Sequence, residues 1–400
     1  MSELGSEPRR IVTLDVIRGF ALLGILAVNA AYFAAPWQTG LNPTLPPLAI
    51  SDELWPWLAM HVFFEFKCIT LFSMLFGASI YMVGGERSDR ERGANLRWRL
   101  FWLMIFGAIH GVLIWYGDIL FTYAVTGFLV LFARSWRAPT LMVVGAVLYV
   151  VSVFVQTSMA FFFDHMPAEA ITEMEAMMWT PPPEEVASMQ AAYRGGFVSG
   201  VAQNSSVWFT FLAYGLWPLV LRTAAVMMLG MALFKWGFFS GAAPKWLYAL
   251  MVIVGAAALS LIFWQALINS ENGFAFRHMQ TQGLAANIAL SIFVSLGYAS
   301  VLALIVHAGW RFITGPLAAV GRMAFTNYIA QSLIMTTIMW GGARGLGYWG
   351  AFDRAELWAI VVAIWLAQLI WSPLWLQHFS MGPLEWVWRR LTYKGGKRPA

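Results

Sequence analysis

Charge is scarce in this 400-residue chain: Asp, Glu, Lys and Arg make up 11% of it, against about a quarter in an ordinary soluble protein. So little charge excludes a water-solvated globule. With 60% hydrophobic residues and a mean hydropathy of +0.66, the composition is that of a polytopic membrane protein. Cysteine is almost missing as well. The single Cys68 excludes an intramolecular disulfide and, lying in an apolar segment, says nothing about redox compartment. There is no Walker loop, no dinucleotide fingerprint and no zinc-protease helix motif. The Gly-rich "WGGARGLGYWG" has no strand before it, which excludes a nucleotide cradle. No internal repeat is visible, and no low-complexity tract beyond a basic tail. The sequence pI of about 9.4 does not indicate nucleic acid, because the positive charge is confined to short loops and the tail.

What is present is a series of apolar windows long enough to cross a hydrocarbon core of about 30 Å, near 11–35, 54–83, 98–116, 119–133, 138–163, 207–234, 246–268, 285–307, 315–340 and 356–378. The first has a basic leader like a signal peptide, but its apolar run is too long for one and is read as a retained span. The fold class predicted is all-α, a transmembrane helical bundle of about ten spans, because lipid leaves no backbone group unpaired outside a helix or closed barrel. Alternate loops carry Arg9 and Arg10, Arg87 to Arg99, Arg134 and Arg137, Lys235 and Lys245, Arg311, and Arg389 to Arg398; the others carry only Arg194, Arg277, Arg344 and Arg354. The positive-inside rule then predicts both termini in the cytoplasm. Residues 1–163 form an N-terminal half of five spans, 164–206 a helical extracytoplasmic insert, and 207–400 a C-terminal half with the basic tail. The short window 119–133 reads as a span, a half-helix or a re-entrant element. The insert reads either as an interfacial hairpin resting Met and Trp on the bilayer or as a lid.

Ionisable residues inside spans face a bundle interior or a water-filled cavity. In "RIVTLDVIRGFALLGILAVNA", Asp15, Arg18 and Asn29 share one helical stripe, with Arg18 and Asn29 roughly 16 Å apart along the axis. They line a polar passage, or Asp15 and Arg18 merely neutralise each other. In "HVFFEFK", His61 and Glu65 stand one turn apart, the carboxylate arranged to fix an imidazole as a base. The alternative is an internal network with Lys67; two ligands are too few for zinc. "GAIHGVLIWYGDIL" adds His110 and Asp118. Arg222, Arg322, Asn327 and Gln331 occupy later spans, where Arg322 either holds a phosphate or snorkels to the headgroups. No metal site is expected.

Five segments, "RIVTLDVIRGFALLGILAVN", "FKCITLFSMLFGASI", "HGVLIWYGDILFTYAVTGF", "GRMAFTNYIAQSL" and "GPLEWVWRRLTY", resemble the YeiB-like bacterial membrane proteins, the family called domain of unknown function 418. The resemblance spans nearly the whole chain apart from the insert, and implies the bacterial cytoplasmic membrane. That family's first helix in turn resembles the transmembrane acyltransferases, which take acyl groups from cytoplasmic acyl-CoA to an acceptor across the membrane. Their pattern of a basic residue, ten others and a catalytic histidine falls here on Arg18 and Asn29, so the arginine matches and the histidine does not. Asn29 can orient an acceptor or donate to an oxyanion but cannot act as a base. The resemblance therefore implies an O- or N-acyltransferase with His110 or His61 as base and Asp118 or Glu65 orienting it. Arg18, Arg322, Arg222 and Lys67 would meet acyl-CoA, and the acceptor would be an envelope glycan, lipid or small molecule. A transporter of a polar or amphipathic solute and a membrane scaffold or sensor remain alternatives, and homo-oligomer formation stays open.

Overall fold

The computed structural model describes residues 11–50, 53–342 and 345–393. Six of the loop cations counted above, Arg9, Arg10, Arg344, Lys394, Lys397 and Arg398, lie outside the described residues. Within them the regular structure is entirely helical: α1 (Val12–Ala34), α2 (Trp55–Phe63), α3 (Lys67–Gly84), α4 (Arg90–Leu113), α5 (Leu120–Val130), α6 (Ala138–Thr157), α7 (Met159–Phe162), α8 (Ala168–Met178), α9 (Pro183–Gly195), α10 (Phe197–Tyr214), α11 (Leu216–Lys235), α12 (Lys245–Glu271), α13 (Phe276–His278), α14 (Ala285–His307), α15 (Arg311–Arg322), α16 (Ala324–Met339), α17 (Arg354–His378) and α18 (Pro383–Thr392). Among the described residues eight spans are long and apolar enough to cross a membrane: α1, α2 with α3, α4, α6, α11, α12, α14 and α17. The other two of the ten expected windows are the short apolar stretch Leu120–Ala133 and the pair α15–α16.

Helix α1 is mostly apolar and buried along most of its length, as befits a central helix. It packs against α3, α14, α15, α16 and α17. The approach to α15 is set by glycine: a Cβ on Gly19 would lie 2.0 Å from the Leu317 carbonyl oxygen, and one on Gly321 1.9 Å from that of Asp15. Helices α3 and α11 cross in the same reciprocal way, Gly77 against the Met227 carbonyl and Gly230 against that of Met74. Lipid tails are as apolar as leucine, so close backbone packing of this kind carries much of the association between spans. Valines 143, 147 and 150 of α6 and Ile253, Leu261 and Trp264 of α12 are exposed and form the lipid-facing wall.

Several spans are interrupted. The expected span 54–83 breaks at Phe64–Phe66, where Phe66 takes a left-handed φ of 61°. The span 315–340 breaks at Met323. The window 207–234 covers two helices that meet at Gly215, the first beginning at Phe197. A continuous apolar run keeps its composition across a one-residue break, so periodicity does not report one.

In the insert, Gln38 Nε2 donates to the Met177 carbonyl (3.1 Å) and Asn42 Nδ2 to that of Trp179 (2.9 Å). Trp179 is buried against Phe276. Its indole therefore rests on protein and not on the bilayer, while Met177 is exposed. Substituting Gly77 by Leu should separate α3 from α11; overpacking costs roughly 1–3 kcal/mol or more. We expect a melting temperature several degrees lower in detergent, checked by thermal unfolding, with the lipid-facing Val147→Leu unchanged as control.

Candidate active site

Two buried histidines each hold a carboxylate, and they sit in separate places. His110 lies in the last turn of α4. Its Nδ1 is 2.9 Å from Asp118 Oδ1 and its Nε2 is 2.9 Å from Ser332 Oγ of α16; all three residues are buried. Asp118 also accepts from the backbone amides of Leu120 (3.2 Å) and Phe121 (2.7 Å) at the start of α5. An acceptor-only carboxylate on Nδ1 assigns the proton to that nitrogen, which leaves Nε2 to accept from the Ser332 hydroxyl.

The surrounding turn is held from α10. Asn204 Nδ2 donates to the carbonyls of Gly111 (2.8 Å) and Val112 (2.9 Å), and its Oδ1 accepts from Tyr116 N (2.7 Å). Gly107 lets α5 approach α4, since a Cβ there would lie 2.2 Å from Phe121 N. A cavity of about 210 Å³ runs beside this cluster, with His110, Asp118 and Ser332 themselves outside its lining. Arg18, Arg99 and Arg322 line it, its walls include Leu22, Ile25, Phe72, Phe76, Leu103 and Tyr123, and Ile119, Leu120 and Tyr328 border it on the side of Asp118. The Tyr328 ring centroid stands 5.2 Å from that of His110.

Arg18 donates to Asp15 Oδ1 and Ser79 Oγ, both at 3.3 Å. Arg322 Nη2 donates to the Ser380 carbonyl (2.9 Å), and the Arg99 guanidinium lies 4.2 Å over the Trp388 ring. Glu385 of α18 also lines the cavity, but it accepts from Phe325 N (2.7 Å), Thr326 N (3.1 Å) and the Thr326 hydroxyl (2.5 Å). The lining therefore combines three guanidinium groups with apolar walls.

The second histidine belongs to a separate network, with its Nε2 buried and without a hydrogen-bond partner among the described residues. His61 Nδ1 is 2.6 Å from Glu65 Oε2. Asn287 Nδ2 donates to Glu65 Oε2 (3.0 Å), and Lys67 Nζ donates to the His61 carbonyl (2.7 Å) and to Asn287 Oδ1. His61 stacks on Trp57 with centroids 4.5 Å apart. Arg222 is satisfied by the Ile288 carbonyl (3.1 Å) and Ser291 Oγ (2.7 Å), near the rings of Phe66 and Tyr149. Neither Lys67 nor Arg222 lines the cavity. The helix break at Phe64–Phe66 turns Lys67 toward His61, a direction that uninterrupted helical spacing does not give.

Asn29 is half-buried. It has no place in the cavity lining or among the partners of His110. Beyond Arg18, the α1 residues that line the cavity are Leu22 and Ile25. Asn327 and Gln331 tie α16 to α17, Asn327 Nδ2 donating to Ser372 Oγ (3.0 Å) and Gln331 Nε2 to Gln368 Oε1 (2.9 Å). His278, on the turn after α12, is 2.8 Å from Asn269 Oδ1, and burial lowers its pKa below the ordinary histidine value. Ser332, Arg99 and Asn204 were not anticipated. Arg99 shares a helix with His110 and could have been flagged by that; Ser332 carries no local signal.

This architecture defines a polytopic helical membrane protein with a buried acid–base cluster beside an amphipathic cavity. Residues 233–395 match the family described as protein of unknown function (DUF418). Over 96% of its length the chain is 33% identical to the uncharacterized protein YeiB of Escherichia coli (strain K12), covering 97% of that protein. It is 28% identical to the uncharacterized protein YxaH of Bacillus subtilis (strain 168), covering 96% of this chain and 94% of that one. It is 29% identical to an uncharacterized 39.9 kDa protein encoded in an amylase 3′ region of Bacillus acidopullulyticus, with the same two coverages. The chain belongs to the YeiB-like DUF418 family.

The Lys67–Asn287–Glu65 network predicts strong non-additivity. Glu65→Gln or Lys67→Met alone leaves one buried charge uncompensated, at a cost of about 3–5 kcal/mol. The double substitution should be more stable than the sum of the two singles implies, as read by thermal melts of all four proteins.

Proposed function

We propose that the protein is a membrane acyltransferase, in which His110 is the base and the arginine-lined cavity holds an acyl-CoA donor taken from the cytoplasmic side. The observation that carries this reading is one juxtaposition: a chamber with Arg18, Arg99 and Arg322 in its lining is bordered by Tyr328, Ile119 and Leu120, which adjoin the Asp118–His110–Ser332 chain. Guanidinium groups suit phosphate and pyrophosphate bidentately, and the apolar wall suits an acyl chain. Asp118 keeps the His110 imidazole in the tautomer whose Nε2 can take a proton from a hydroxyl. The acceptor would be a glycan, lipid or small molecule with a free hydroxyl or amine, and the bacterial cytoplasmic membrane is the setting this reading assumes.

A transporter is the second reading, favoured by the His61–Glu65–Lys67–Asn287 network at a broken helix, because discontinuous spans with buried ionisable groups are a feature of transporter binding sites.

Under the acyltransferase reading, acyl-CoA raises the melting temperature of the detergent-purified protein in a dose-dependent way, and Arg18→Ala abolishes the shift. His110→Ala lowers turnover by about 10²–10⁴-fold while leaving the shift in place. Proteoliposomes that move solute in a pH-dependent way, with no covalent product and no acyl-CoA shift, would overturn it.

A further inference from the structure

We infer that Ser332 is a nucleophile, so that transfer runs through an acyl-serine intermediate; this rests on the acyl-transfer reading above. Serines inside apolar helices ordinarily donate their hydroxyl proton to the carbonyl one turn earlier. Here Ser73, Ser79, Ser205 and Ser300 do so at 2.7, 2.9, 2.7 and 2.8 Å. Ser332 stands 3.3 Å from its own such carbonyl, that of Tyr328, and 2.9 Å from His110 Nε2. Its proton is thus directed at a histidine whose other nitrogen is held by an aspartate. Nucleophile, base and orienting acid stand in hydrogen-bond sequence, the arrangement that defines a catalytic triad by geometry and not by fold.

A second observation points to a reacting group. The Tyr328 hydroxyl is buried and has no hydrogen-bond acceptor among the described residues, although Tyr328 lines the cavity and its ring packs on His110. A buried hydroxyl left without an acceptor costs stability, and one turn from the nucleophile it can donate to an oxyanion as that charge develops.

The chemistry balances. Ser332 Oγ bonds to the thioester carbonyl carbon as its proton passes to His110 Nε2, and Tyr328 donates to the oxyanion. Collapse breaks the carbon–sulfur bond, and the departing thiolate takes the proton from His110. The acceptor hydroxyl then attacks the acyl-serine carbonyl, gives its proton to His110, and Ser332 Oγ recovers that proton on leaving.

The test uses the full-length protein in detergent and a fluorophosphonate, which reacts with an activated serine by losing fluoride and needs no acyl donor. Peptide mass mapping should find the phosphonate on Ser332. The label should vanish in Ser332→Ala and form about a hundredfold more slowly in His110→Ala, with both variants melting within a few degrees of the parent. Labelled Ser332 in a protein that turns over no acyl-CoA would support the nucleophile and overturn the donor assignment alone. An unlabelled Ser332, with acyl transfer in Ser332→Ala within threefold of the parent, would overturn the nucleophile and leave direct transfer to the acceptor. An unlabelled Ser332 without any transfer would overturn both.

Discussion

Backbone groups freed inside an apolar bundle must be satisfied by the protein itself, because lipid offers neither donor nor acceptor. Three junctions between helices here meet that requirement with polar side chains, some of them borrowed from distant helices. At the break between α2 and α3, Lys67, Asn287, Ser295 and Tyr298 donate to the carbonyls of His61, His61, Lys67 and Phe63. Where α4 gives way to α5, Asp118 and Asn204 do the same work on amides and carbonyls. Where α15 meets α16, Glu385 and Asn327 complete the exposed ends. Both histidine clusters, that of His110 and that of His61, sit at such places.

His110 shows how closely position and function are tied. Asp118 is at once the acceptor for the first amides of α5 and the partner of the imidazole. Removing it would disturb the helix start and the tautomer together. Gly107 and Gly111 permit the approach on both sides: a Cβ on the former would meet Phe121 N, and one on the latter Trp208 Nε1 at 2.2 Å. The cavity depends on an equally remote element, α18, whose Glu385 and Trp388 line it while Trp388 Nε1 donates to the Arg99 carbonyl (3.0 Å).

Much of this was legible in residue order. Runs of apolar residues marked the spans, since length and hydropathy alone decide whether a helix suits a bilayer. The pairing of His61 with Glu65 followed from spacing of four on one helix. What spacing could not supply were partners contributed by other helices. Ser332 is 222 residues from His110, Asn287 is 220 from Lys67, and nothing near either serine or asparagine distinguishes it from its neighbours. The α1 stripe from Arg18 to Asn29 meets a related limit. Helical phase says which residues share a face, but not how far along that face a cavity extends.

By itself, then, the sequence determined the class of protein and the small set of ionisable residues that had to lie inside the bundle, because burial of apolar surface and the cost of intramembrane charge are properties of composition and local order. Only the tertiary structure decided which of those residues are locked in structural networks, as Lys67 and Arg222 are, and which meet a cavity, as Arg18 and Arg322 do. That division depends on directional hydrogen bonds and on glycine-set approaches between helices far apart in the chain, and three-dimensional packing alone brings those groups within 3 Å.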